Sequence, residues 1–236
     1  MIIDDNYFPV SETFVSIQGE GPYTGMNSFF IRFQFCNYKC KWCDTKYTWI
    51  TNANEYNVYT FEELKTLISG ISIKNIILTG GEPLMYRIDK LCDDKHKFFV
   101  ETNGSISPFE KFNIQLNNNI FIKREKFNES KIKKFIWIVS PKLSNANIDY
   151  DFVKINLWKK IPNVFFKFII ENEIDLKIVD DLVKQFNIDK NKIYIGLEGS
   201  TIESQLKPLL VDMIIGKGYN YSPRLHILLW KNKRGK

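Results

Sequence analysis

Apolar and polar positions along this chain fall into two alternating periods, one of two residues and one near 3.6. The run Ser28 to Phe35 (SFFIRFQF) is rich in aromatic and β-branched residues and predicts a strand. Thr60 to Gly70 (TFEELKTLISG) predicts a helix, with Thr60 and Glu63 as a capping box and Gly70 at the C-cap. Asn75–Leu78, Lys97–Glu101, Phe135–Val139 and Val164–Ile170 are apolar runs of strand length. Ile174 to Phe186 has apolar residues at 174, 178, 179, 182, 183 and 186, the helical period. Lys192–Ile195 returns to strand. Ser200 and Glu203 suggest a second capping box opening a helix to about Ile215, and Arg224–Trp230 reads as a closing strand. Repeated strand–helix units of this kind specify an α/β fold with a mostly parallel sheet and helices packed outside it.

The 236 residues suit one domain, 1–236, in which the basic tail 231–236 is expected to be flexible. Apolar residues make up 44% and Phe alone occurs 19 times, so core material is ample. No apolar run approaches the roughly 18 to 20 residues that span a bilayer, and no charged-then-apolar secretory segment opens the chain. A soluble, cytoplasmic protein is expected. The net charge is +6. Its excess gathers in Lys123, Arg124, Lys126, Lys131, Lys133 and Lys134, and in Lys231, Lys233, Arg234 and Lys236. Glu125 and Glu129 interrupt the first group, which favours solvated surface over a nucleic-acid footprint. Attraction of an anionic substrate or acidic redox partner is compatible with either.

Candidate chemistry changes the picture most at Cys36, Cys40 and Cys43, in CNYKCKWCDT. Three thiolates in a C-x3-C-x2-C spacing, with no obvious fourth, suit three corners of a four-iron cluster whose last iron stays open. Electron-transfer clusters normally have four ligands, so the open corner suggests chemistry at the cluster. A closed zinc site needs a fourth ligand, for which Cys92 and His96 are available. A disulfide suits neither the clustering nor the reducing compartment. The spacing, with aromatic Trp42 before the last Cys, resembles the signature of the radical S-adenosylmethionine (radical SAM) superfamily.

Strand-end motifs add to this. Thr79-Gly80-Gly81-Glu82-Pro83 follows the strand NIIL, where α/β sheets gather ligands, and its glycines allow close backbone approach. Glu101-Thr102-Asn103-Gly104, Ser140-Pro141-Lys142 and Gly196-Leu197-Glu198-Gly199 each follow a strand in the same way. Near the N-terminus, FVSIQGEG places Gln18 and Glu20 about Gly19, polar groups able to read a heterocycle edge. The whole block QGEGPYTGMNSFFIRFQFCNYKCKWCDTKYTW closely resembles the 7-carboxy-7-deazaguanine synthase family, and ETNG, SPK and Leu225-His226 fit that pattern too.

The resemblance implies a partial (βα)6-type barrel with a [4Fe-4S] cluster, S-adenosyl-L-methionine and Mg²⁺. It implies Cys36, Cys40 and Cys43 as cluster ligands and Thr45 as a Mg²⁺ ligand. It implies SAM contacts at Trp42, Cys43, Asp44, Gly81, Glu82, Ser140, Pro141, Lys142, Gly196, Leu197, Glu198 and Gly199, with Leu197 replacing the Pro of many relatives. Substrate contacts fall on Ile17, Gln18, Gly19, Glu20, Arg32 and Thr79. The implied reaction is conversion of 6-carboxy-5,6,7,8-tetrahydropterin to 7-carboxy-7-deazaguanine with loss of ammonia, started by a 5′-deoxyadenosyl radical. Implied partners are that pterin, a flavodoxin- or ferredoxin-type electron donor and a second copy in a homodimer, with no membrane or direct nucleic-acid contact; the pathway implied is queuosine biosynthesis or another 7-deazapurine modification. His226 is expected to be a structural residue of the last strand. Two alternatives stay open: a radical SAM activase that plants a glycyl radical on a partner, and a zinc-stabilised basic nucleic-acid-binding protein.

Overall fold

A computed structural model describes residues 1–50, 55–117 and 119–236. Its strands are β1 (Ile2–Ile3), β2 (Tyr7–Ile17), β3 (Asn27–Phe33), β4 (Asn57–Thr60), β5 (Asn75–Gly80), β6 (Lys97–Thr102), β7 (Phe112–Asn117), β8 (Ile120–Arg124), β9 (Phe135–Val139), β10 (Val164–Ile170), β11 (Ile193–Leu197) and β12 (Asn220–Tyr221). Its helices are α1 (Phe61–Ser69), α2 (Glu129–Ile132), α3 (Ile155–Trp158), α4 (Glu173–Phe186), α5 (Ile202–Gln205), α6 (Pro208–Gly216) and α7 (Leu225–Trp230).

One nine-stranded sheet runs in the order β12-β11-β10-β9-β6-β5-β3-β2-β4. From β3 to β12 every neighbouring pair is parallel, while β2 pairs antiparallel with both β3 and β4. This is the α/β fold expected, extended by an antiparallel edge. The helical layer is thinner than a full (βα)6 barrel. Two 3₁₀ turns alone join β5 to β6, and the β7–β8 hairpin with α2 joins β6 to β9. That hairpin pairs with β1 and absorbs part of the first basic cluster: Arg124 is buried and donates to the Ser107 and Glu125 carbonyls.

Strand alternation sorts the side chains into two layers. On the helix side, Ile31, Leu78, Val100, Val139, Phe168 and Leu197 join the main core. On the concave side, Phe30, Ile77, Phe99 and Ile138 form a separate apolar plug. Two residues beyond Phe30, Ile77 and Phe99 on their strands stand Arg32, Thr79 and Glu101, and Lys167 of β10 faces the same space. The period of two thus places a polar ring above an apolar floor.

β2 reaches that ring through a β-bulge. Val10 pairs with Phe33 but Glu12 with Arg32, so Ser11 is the extra residue. Before the bulge, Phe8 and Val10 face the main core; after it, Phe14 packs on the concave plug, stacked 4.8 Å from Phe30. A one-residue insertion flips every later side chain to the other face.

Three expectations are corrected. The segment 225–230 is helix α7, not a strand; the sheet edge there is taken by β12. The second capping box is Thr201 with Ser204, and the helix it opens ends at Gln205. Pro208 then starts α6, because proline at the first helical turn needs no N–H donor. The capping box at Thr60 and Glu63 forms as expected, while Gly70 closes α1 at φ −77°, a conformation open to any residue.

Candidate functional site

At the carboxyl ends of the parallel strands lies a cleft of about 240 Å³, floored by Phe14, Phe30 and Ile138. The cysteine loop forms one wall, with Cys36, Cys40 and Cys43 all at its surface. Backbone fixes this loop. The Gly81 N–H donates to the Phe33 carbonyl (3.0 Å) and the Glu82 N–H to the Phe35 carbonyl (2.8 Å). A Cβ on Gly81 would lie 1.8 Å from the Phe35 oxygen, and one on Gly80 2.3 Å from the Phe33 oxygen. The double glycine therefore seats the strand end against the cysteine loop. Asn103 adds a side-chain tie: its amide donates to Asn37 Oδ1 (2.9 Å) and lies 3.9 Å from Cys36 Sγ.

Glu82 does not reach the cleft. It is fully buried and accepts from Leu84 N (2.9 Å), Thr102 Oγ1 (2.7 Å) and Asn103 N (2.8 Å). Burial raises its pKa, and those three donors partly offset the shift. Its role is to hold the β6 end to the GGEP turn. Pro141, Gly196 and Leu197 also lie off the cleft wall; Leu197 faces the helix-side core, so its difference from Pro touches packing. The remaining expected contacts, Ile17, Gln18, Gly19, Glu20, Arg32, Trp42, Asp44, Thr45, Thr79, Gly81, Ser140, Lys142, Glu198 and Gly199, all line the one cleft.

Lys142 packs on this loop, 5.3 Å over the Trp42 ring, and donates to Ser140 Oγ (3.1 Å). Trp42 Nε1 donates to Asn145 (3.2 Å), which is itself held by Asp175 and the Ile169 carbonyl. Thr45 Oγ1 lies 3.5 Å from Cys43 Sγ.

The cleft also holds a network of charges in which expected residues meet Lys167 and Arg224, which the sequence motifs did not single out. Glu101 accepts from both Gln18 Nε2 (2.9 Å) and Thr79 Oγ1 (2.9 Å). Glu20 accepts from Lys167 (2.6 Å) and Arg224 Nε (2.9 Å), with His226 at 4.0 Å. Arg224 also bonds Asp44 and the Gly199 carbonyl. Burial alone would raise the Glu20 pKa, but Lys167, Arg224 and His226 outweigh it and hold the carboxyl far below its usual range. Among the described residues, Glu20, Asp44 and His226 form the one close acid–imidazole group, with donor atoms within 4.8 Å. Two cations already neutralise its carboxylates, so it reads as an ion-pair network.

His226, expected in a strand, sits on α7 with its ring against Gly19: a Cβ there would be 2.3 Å from Nδ1. Burial lowers its pKa against the pull of Glu20. Lys167 was legible as the single polar residue of the run VFFKFII; Arg224 carried no local signal, since its partners are far away in sequence.

The sequence from residue 30 to 235 matches the radical SAM superfamily, to which the chain therefore belongs. Relatives narrow the assignment. A 7-carboxy-7-deazaguanine synthase of Clostridium acetobutylicum is 34% identical, over 97% of this chain and 99% of that one. Those of Rhodopirellula baltica (96% and 88% covered) and Pyrobaculum aerophilum (96% and 96%) are each 30% identical. Within the superfamily, the chain is a member of the 7-carboxy-7-deazaguanine synthase family. A crystal structure of QueE from Escherichia coli shares the fold, with a TM-score of 0.65 at 22% identity over 92% of this chain and 93% of that one.

The superfamily implies a [4Fe-4S] cluster and SAM, and the residues present suit both. Cys36, Cys40 and Cys43 bring three thiols to one cleft wall, while Cys92 packs in the main core and His96 is engaged by Asp93 and the Ile71 carbonyl, so neither completes a four-ligand zinc site. Three thiolates suit a cluster with one open iron. Burial, then the nearby Glu82 carboxylate, pushes the Cys36 thiol up to about 12, so a cationic centre is needed to hold it as thiolate. Beside the cysteines, Ser140, Lys142, Glu198 and Gly199 supply the polar groups an amino-acid and ribose cofactor requires.

Proposed function

We propose that this chain converts 6-carboxy-5,6,7,8-tetrahydropterin to 7-carboxy-7-deazaguanine with release of ammonia. The observation that carries this reading is that Gln18, Gly19, Glu20 and Arg32 line the same cleft as the three cysteines, together with Phe14, Phe30 and Ile138. A planar, polar-edged heterocycle suits such a cleft: apolar below, with amide and carboxylate groups at the rim.

Cys36, Cys40 and Cys43 would hold the cluster, which with SAM supplies the hydrogen-abstracting radical chemistry. The chain itself binds, orients and excludes water. Gln18, fixed by Glu101 and by the Glu20 N–H (3.1 Å), offers its amide edge to the ring. Thr79 is oriented by the same Glu101. Arg32, on the polar ring, offers a fork to the substrate carboxylate. Thr45 provides a hard oxygen ligand for Mg²⁺, whose shell a substrate carboxylate and waters would complete. Trp42, Asp44, Gly81, Ser140, Lys142, Glu198 and Gly199 would line the SAM side.

A reductant of flavodoxin or ferredoxin type and a homodimer fit this reading, as does a product feeding a queuosine-type tRNA or DNA modification. Among the described residues no helix is long and apolar enough to cross a membrane, which suits a cytoplasmic enzyme.

Calorimetric titration of the pterin without reductant tests the substrate wall. Gln18→Ala and Arg32→Ala should each weaken pterin binding by about tenfold, roughly 1.4 kcal/mol, and leave SAM binding unchanged. Undiminished pterin affinity in both variants would remove this wall from the substrate site.

A further inference from the structure

The basic tail lines the cleft. Lys231, Asn232 and Gly235 adopt positive φ (51°, 57° and 77°) and turn the chain back after α7, so that Asn232 to Lys236 border the cleft. The turn is held by the Lys231 N–H on the Ile227 carbonyl (2.9 Å) and the Lys233 N–H on the Trp230 carbonyl (3.2 Å).

Arg234 is the tail's anchor. Its Nε donates to Glu12 Oε2 (3.1 Å), and its guanidinium lies 4.0 Å over the Tyr47 ring. Glu55 stands 3.8 Å away. The same Glu12 carboxylate, through Oε1, accepts from Arg32 Nε (2.8 Å) and from the Tyr47 hydroxyl (2.8 Å). One acidic group therefore ties two arginines and a tyrosine, from four distant stretches of sequence. Glu12 is 14% exposed and Arg32 16%, so solvent screens that pair little, while the Arg234 end of the knot is 45% exposed. Glu12 reaches the concave side because the β2 bulge precedes it.

The consequence falls on Arg32. Its Nε is held by Glu12, and among the described residues its terminal nitrogens have no hydrogen-bond partner. Held from behind, the fork faces the cleft with its two outer nitrogens free for an anionic group. Phe14, 5.7 Å below, supports its plane.

We propose that Arg234, with Glu12 and Tyr47, is a positioning residue that locks Arg32 toward the substrate carboxylate and closes the cleft on the β2 side. The inference rests on the pterin assignment above. Arg234 touches Glu12 and Tyr47, so its effect reaches the substrate through Arg32.

Steady-state kinetics of the reconstituted holoenzyme and hydrogen exchange on the full chain test it together. Arg234→Ala should raise KM for the pterin about tenfold, with kcat and the KM for SAM within about twofold of wild type. Arg234→Lys keeps the charge but loses the planar face over Tyr47, so it should recover only part of the loss. Glu12→Ala should free the tail, so that the amides of 233–236 exchange faster than in wild type. An unchanged pterin KM in Arg234→Ala would overturn the proposal, as would equal losses for pterin and SAM. Identical tail exchange in Glu12→Ala would overturn it as well. A wild-type enzyme that does not turn over the pterin would count against the substrate assignment instead; the exchange result would then decide the clamp.

Discussion

Single residues in this site are defined by what their neighbours leave no room for. Gly81 is the sharpest case, because the group a side chain would meet is the backbone of the cysteine loop, which cannot rotate aside. Gly81→Ala should cost at least about 2 kcal/mol by overpacking and shift the loop. Urea unfolding and iron content after anaerobic reconstitution would check this: lower stability and less than the full complement of iron are expected. Glu82 shows the complementary rule. Its position after a Gly-Gly turn suggests a ligand contact, yet three internal donors use both its oxygens. A carboxylate buried to this degree is stable only where donors replace its water, so a structural role was set by the depth of the turn.

Among elements, β2 carries the most consequence per residue. Deleting Ser11 would remove the bulge, turn Glu12, Phe14 and Gln18 off the concave face, and expose apolar surface. A loss of about 3 kcal/mol or more in urea denaturation is expected, with pterin binding abolished in whatever remains folded. The long elements were legible because their periods are strong: SFFIRFQF, VFFKFII and the amphipathic stretch 174–186 all fold as their patterns specify. The bulge was not legible, since a one-residue insertion leaves the composition of YFPVSETFVSI unchanged. The run LHILLW was ambiguous for a different reason. A run of six residues, five of them apolar, lacks the length to separate helix from strand by period, and only the filling of the sheet edge by β12 decides for helix. In the same way, the strand-end motifs, Glu101 among them, named most of the cleft wall, while the ion-pair partners of Lys167, Arg224 and Arg234 became visible only once the sheet brought them together.

At the scale of the molecule, ion pairs close the open side of the sheet. Glu20 joins the tip of β2 to Lys167 on β10 and to Arg224 before α7, and Arg224 extends the link to Asp44 beside the cysteines. A carboxyl whose folded pKa lies below its usual 4.5 contributes stability above that pH and loses it as pH falls toward the folded value. Glu20→Gln should therefore be less stable than wild type at about pH 7, and the gap should narrow as pH falls below 4.5. A gap that stays constant with pH would remove Glu20 from the network. The central claim is that the cleft couples a three-cysteine cluster site to a pterin site. Its most direct test is anaerobic: iron and sulfide are restored, the protein is reduced, and SAM, Mg²⁺ and 6-carboxy-5,6,7,8-tetrahydropterin are added. Mass spectrometry should find 7-carboxy-7-deazaguanine with wild type and none with Cys40→Ala. Cleavage of SAM to 5′-deoxyadenosine without any deazapurine would contradict the account.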